Sequence, residues 1–205
     1  MSAIPIPYTS GQTIYGHYKC AQRSGSIATA TPLVAASVLA SLRWTGTGFC
    51  VVTRVRCGFC VNATITTATV MDFSLTVVRG FSADYSSNNT QAKLADKPKS
   101  GAMRAFMANS QMGSSGPQIA TTLGMTGATN TIDTDYMSTV VFPSQATTAG
   151  IGGQMFDLYQ LTSLGDHPPC LSANEGLIIR NISTGPASGT YLFYAQWEWA
   201  EVSAF

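Results

Sequence analysis

Charge is what this sequence has least of. Lys, Arg, Asp and Glu make up 10% of its 205 residues, against about a quarter in an average soluble domain. Glu occurs only at Glu175, Glu198 and Glu201, and Lys only at Lys19, Lys93, Lys97 and Lys99. The residues from which surface helices are built are therefore nearly missing, while Thr, Ser, Gly and Val are abundant and favour strands and turns. So few charges also leave the surface to be covered by Ser, Thr, Asn, Gln and Gly, or by other subunits, and both are expected. With a net charge of +1 no long-range field steers the chain to nucleic acid or to an anionic membrane, and neither is expected as a partner. No apolar run reaches the roughly eighteen residues of a membrane span. The opening MSAIPIPYTSGQTIYG lacks a basic start followed by an apolar stretch, so it does not read as a signal peptide. Five cysteines, three of them crowded at Cys50, Cys57 and Cys60, make no secreted disulfide framework, and synthesis in a reducing cytoplasm is expected.

What the sequence does have is alternation. Phe49 to Asn62 places Phe49, Val51, Thr53, Val55, Cys57, Phe59 and Val61 on one face of a strand, and Ala68 to Phe81 repeats the pattern with Met71, Phe73, Leu75, Val77 and Phe81. The short connection between them suggests a long antiparallel pair. At the C-terminus, Leu177–Asn181 and Tyr191–Val202 flank a turn of Gly185, Pro186, Ser188 and Gly189. The second of these strands puts Tyr191, Phe193, Ala195, Trp197 and Trp199 on a single face, a payload suited to a central strand that completes a core. Shorter strands are expected at 13–20, 39–44, 102–107, 118–123, 137–142 and 155–161, with the polar stretch 82–99 as a surface loop. The chain therefore reads as all-β: residues 1–30 an extended N-terminal arm, and residues 31–205 one antiparallel β-sandwich domain.

Candidate chemistry is thin. Cys57 and Cys60 are spaced C-x-x-C, but three residues apart in a strand their sulfurs diverge, and a zinc site would have to recruit Cys170 and His167. Buried free thiols are the expected reading. Asp166-His167 sits between Gly165 and two prolines, as a rigid turn does, with no nucleophile motif beside it. Asp133 and Asp135 alternate like a carboxylate pair without the remaining oxygens of a calcium loop. Arg54, Arg56 and Arg79 lack the clustered lysines and interleaved aromatics of a phosphate patch, and ion pairing is expected of them instead. The N-x-S/T sites at Asn62, Asn88 and Asn181 reflect a Thr-rich composition, and Gly46, Gly48, Gly152 and Gly153 lack the strand-to-helix context of a nucleotide loop. No catalytic, cofactor-binding or metal residue is assigned, and an enzyme is not expected.

The succession SLRW (41–44), VVTRVRCGF (51–59), MDFSLTVVR (71–79), LSANEGLIIRN (171–181) and WEWAEV (197–202) resembles virion-associated structural proteins of tailed bacteriophages. That resemblance implies a jelly-roll-like sandwich that decorates or cements a capsid shell, commonly as a homotrimer. Its partners would be the major capsid protein and copies of itself, and its location the capsid surface of the virion. A different tail, fibre or shell component is the neighbouring alternative. A glycan- or receptor-binding module that uses Tyr85 or Tyr136 as a stacking platform is another.

Overall fold

The computed structural model describes residues 14–28, 33–67, 70–91, 110–112, 116–142, 150, 152–163 and 167–205. All regular structure among them is β. In chain order the strands are β1 (Ile14–Arg23), β2 (Ile27–Ala28), β3 (Val38–Arg43), β4 (Phe49–Ala63), β5 (Met71–Ala83), β6 (Asn89–Gln91) and β7 (Gln118–Ala120). They continue as β8 (Thr129–Ile132), β9 (Ser138–Phe142), β10 (Gly152–Gln160), β11 (Cys170–Leu171), β12 (Gly176–Asn181) and β13 (Thr190–Val202).

These strands form two antiparallel sheets, a β-sandwich. The first runs β1-β13-β4-β10, with β2 beside β13 and β11 beside β4; the second runs β6-β7-β3-β12-β5-β8, with β9 along β5. Of the stretch expected as an arm, residues 14–23 and 27–28 are strands of the first sheet paired to β13, and residues 1–13 lie outside the described ones. The expected strand at 102–107 also lies outside them. Within the stretch expected as a polar loop, Asn89–Gln91 forms β6, the edge of the second sheet.

Two expected pairings are corrected. β4 and β5 do not form a hairpin: β4 lies between β13 and β10, while β5 lies between β12 and β8 in the opposite sheet. β12 and β13 are split between the sheets in the same way. Each of these strands has one mainly apolar face, and such faces are buried more completely across a core than side by side. The rings record the result. Phe73 of β5 lies 5.1 Å from Phe193 of β13, and Phe142 of β9 meets Phe59 of β4 at 4.8 Å and Phe156 of β10 at 4.7 Å, both edge to face. Such pairs contribute about 0.5–1.5 kcal/mol each beyond the area they bury.

β13 behaves as its alternation predicts, with Tyr191, Phe193, Ala195, Trp197 and Trp199 all buried. β4 departs from its own. Opposite β13 the pairing jumps from Glu198↔Arg54 to Trp199↔Val52, so Thr53 is an extra residue, and its carbonyl accepts the N–H of Leu161 at 2.9 Å. A one-residue bulge exchanges the faces on either side of it. Cys50 and Val52 thus join Val55, Cys57 and Phe59 in the core. Phe49 and Val51, expected on that face, pack instead with Ala200, Val202 and Cys170.

Both seams of the sandwich are bridged by side chains. Gln22 Nε2 on β1 donates to the Pro117 carbonyl beside β7 at 3.0 Å. At the other seam the Ser138 hydroxyl of β9 donates to the Leu158 carbonyl of β10.

Candidate interaction surface

Within the sequence resemblance, the segment from Leu171 to Gly176 makes a turn between β11 and β12. Ser172 donates its N–H at 2.9 Å and its hydroxyl at 2.8 Å to Glu175 Oε2, closing the Ser172–Glu175 turn. Asn174 takes the left-handed conformation (φ 65) that Asn tolerates better than most residues. At Gly176 any Cβ would lie 2.5 Å from the Leu42 carbonyl oxygen. Asn174 also links loop to sheet: its N–H donates to the Trp44 carbonyl at 3.0 Å and its carbonyl accepts the Phe81 N–H at 2.7 Å. The motif fixes how β12 enters its sheet.

The arginines resolve into ion pairs on two different sheets. On the first sheet, Arg54 holds Asp157 through two contacts of 2.6 and 3.1 Å, and Arg56 Nε lies 3.4 Å from the same carboxylate. Glu198, paired with Arg54 across β13, is 3.1 Å from Lys19 on β1. Charges of alternating sign thus cross four strands. The Arg54 hydrogen bond holds the Asp157 carboxyl below its ordinary value and raises the guanidinium's own. Arg79 is apart from these, on β5, 3.3 Å from Asp133. Asp133 is therefore engaged by an arginine rather than by Asp135.

The thiols are separated. Cys57 points into the core and Cys60 is half-buried on the other face of β4. Burial raises the Cys57 and Cys50 thiols well above their ordinary values, and that of Cys170 to about 11. Across the β11–β4 pairing Cys170 lies opposite Val51, and Cys50 lies opposite Leu171. His167 is exposed, whereas Asp166 lies outside the described residues. Asn62 is exposed, and Asn181 is buried, its amide donating to the Val34 and Ser183 carbonyls at 2.9 and 2.7 Å. Among the described residues no group of three or more His, Cys, Asp and Glu side chains converges as a metal site would.

Tyr85 is not a stacking platform. It is 6% exposed, its ring meets Phe81 edge to face at 5.8 Å, and its hydroxyl accepts the Asn130 amide at 3.1 Å. Buried Gln118 clamps the Tyr85 backbone on both sides: Oε1 accepts its N–H at 2.9 Å, and Nε2 donates to its carbonyl at 2.8 Å. Tyr136 is 45% exposed, and the Arg180 guanidinium lies 5.1 Å from its ring centre.

Beside Tyr85 is a groove of about 490 Å³, with aliphatic walls of Leu33, Val34, Val38, Leu123, Met125 and Ile132. Among the described residues no charged one lines it. One wall is the Val34–Ser37 turn, whose Ala36 sits at φ 66. That conformation costs roughly 1–2 kcal/mol for a residue with a Cβ. Its neighbours impose it: the Ala36 N–H donates to the Asn181 carbonyl at 2.9 Å, the Asn181 N–H to the Ser37 carbonyl at 3.1 Å, and the Ser37 hydroxyl to the Val34 carbonyl at 2.8 Å. The opposite wall is tied in by Met125, whose N–H donates to the Val38 carbonyl at 2.9 Å, and by Asn88, itself at φ 57, whose amide reaches the Gly124 carbonyl at 3.3 Å. The result is a fixed apolar rim, with Val34 69% and Leu123 37% exposed. Motif reading passed over this groove. The available signal was the absence of charge, since residues 24–42 and 105–132 carry no Lys, Arg, Asp or Glu, and parts of these two runs meet here.

Comparisons with protein-family models, with curated proteins and with solved structures find no match for this chain.

Proposed function

We propose that this chain is a structural virion protein that binds the outside of a phage capsid and braces contacts between major capsid subunits, as the sequence resemblance implies. The observation that carries the reading is the uncharged groove with its rigid, exposed aliphatic rim, a surface suited to binding by apolar contact. The ion pairs support it. The charges of the first sheet largely satisfy one another, so attachment would rest on shape and apolar area. Modest affinity per copy suffices on a lattice, where every further contact is effectively intramolecular. The major capsid protein and further copies of the chain, as a homotrimer, are the partners this reading requires. The experiment is to express the tagged chain in cells producing the virus that encodes it, and to purify and image the particles. Ordered density on the capsid exterior is the expected result, and particles that carry none of the chain defeat the proposal.

A second reading rests on Tyr136, whose half-exposed ring is backed by Arg180 as a sugar-stacking aromatic would be. Glycan-array binding abolished by Tyr136→Ala would favour it over capsid attachment.

A further inference from the structure

We propose that the groove beside Ala36 receives Ile4-Pro5-Ile6-Pro7-Tyr8 from a second copy of this chain. The inference rests on the groove being a contact surface, and not on which particle the assembly belongs to.

Chemistry matches the two. Residues 1–18 carry no Lys, Arg, Asp or Glu, and none is among the described residues that line the groove. Burying an unpaired charge in such a place would be costly, so an uncharged apolar segment is the occupant it admits. Pro5 and Pro7 remove alternate backbone donors and fix φ near that of polyproline II. A segment so built cannot complete a strand ladder. It also has little conformational freedom to lose, and it docks through its side chains into an apolar groove. The volume, about 490 Å³, lies within the roughly 300–1,000 Å³ of ordinary binding pockets.

Position argues for a second copy. Ile14 pairs with Val202, and Val202 abuts Gly48 in the loop that follows the end of β3. The groove opens at Val38, the start of β3, and on the other sheet. The eight residues from Ile14 back to Ile6 span only about 25 Å as polyproline II. Within one chain they would have to run the length of the sandwich and turn around its edge. A neighbouring copy imposes no such path. Donor segment and acceptor groove are different surfaces, so the contact is heterologous and closes either as a reciprocal exchange or as a ring, including the three-membered ring that a homotrimer needs.

The test uses the full chain with p-benzoylphenylalanine in place of Leu123, on the exposed rim, in an equal mixture of ¹⁴N- and ¹⁵N-labelled protein. Irradiation and trypsin should yield a cross-link to the peptide 1–19, the first that trypsin can release, in mixed-isotope pairs. A cross-link only between like isotopes would mean that the segment folds onto its own groove. A cross-link without peptide 1–19 would give the groove another occupant. Either overturns the proposal. Independently, Ile4→Asp with Ile6→Asp should weaken self-association at least about ten-fold in sedimentation equilibrium while the circular dichroism is unchanged. Unaltered self-association overturns the proposal as well. If that variant keeps its self-association but no longer decorates capsids, this inference fails and the capsid reading stands. The opposite pattern separates them the other way.

Discussion

The carboxylate of Glu201 accepts the backbone N–H of Gln111 at 2.7 Å although no part of Glu201 reaches solvent. Its other oxygen accepts the Ser110 hydroxyl at 2.5 Å and the Trp199 indole N–H at 3.0 Å. Residues 110–112 are thereby pinned to the end of β13, ninety positions away in sequence. Burial raises the Glu201 carboxyl above its ordinary 4.5, and the hydrogen bonds from Ser110, Gln111 and Trp199 oppose that rise. A carboxyl that holds its proton more tightly folded than unfolded loses stability as pH rises from 4.5 through its folded value. Tyr18 is held at about 12 and the Cys50 thiol is raised, so neither titrates in that window. Relative to Glu201→Gln the wild type should therefore lose urea resistance across this range, while His17, which burial holds below its ordinary 6.5, adds the same opposing slope to both proteins. Parallel profiles for the two proteins would show that Glu201 does not titrate there.

Trp197 and Trp199 are both buried on one face of β13, yet they should respond differently to truncation. Trp199 Nε1 donates to Glu201, whereas Trp197 Nε1 has no hydrogen-bond partner among the described residues. Trp197→Phe removes an unpaired buried donor along with part of a ring. Trp199→Phe also takes a donor from a buried carboxylate, and should cost about 1–3 kcal/mol more. Trp197→Ala, which opens a cavity, should cost roughly 3–5 kcal/mol. Equal losses for the two Phe variants in chemical denaturation would count against the role given to the Glu201 contact.

The alternation that identifies β4, β5, β12 and β13 as strands was legible because the period of two is a local property. Which strands pair was not. Phe59 and Phe73 lie in adjacent alternating segments, as in a hairpin, yet face each other across the core at 6.4 Å. Alternation says which face is buried and nothing about whether the neighbour lies beside it or opposite. The Thr53 bulge escaped for a related reason, since one inserted residue leaves composition unchanged while exchanging Val51 for Val52 in the core. Tyr85 looked like a surface aromatic because its neighbours in sequence are polar. Gln118, thirty-three positions on, draws it inward. The groove is built the same way, by Asn181 reaching back to Val34 and by Met125 pairing with Val38.

Ala36 offers a direct measure of strain at the groove. Ala36→Gly relieves the left-handed conformation at φ 66 and gives back part of that gain through a freer unfolded chain. The net should be a stabilisation of roughly 0.5–1 kcal/mol. Ala36→Val, with a branched Cβ, should destabilise. A loss of stability in the Gly variant would mean that the turn is not strained.

The thiols should label in an order set by exposure. Cys60 and Cys170 are half-buried, while Cys20, Cys50 and Cys57 are buried. Maleimide at neutral pH should therefore modify Cys60 first and Cys170 more slowly, because a thiol raised to about 11 is scarcely ionised there. The other three should react only on unfolding. Mass spectrometry of peptides from a time course reads the order directly. Early modification of Cys57 would show that β4 opens.

β13 lies between β1 and β4, so a strand made after all of its neighbours fills the middle of the first sheet. On a ribosome that order matters. β1 and β4 emerge with no partner between them, and each keeps an open edge until residue 202 has left the exit tunnel. The first sheet is therefore completed only once β13 has emerged. A nascent chain stalled before β13 should present two unsatisfied strand edges to its surroundings, and become a target for chaperones or for pairing with another such chain.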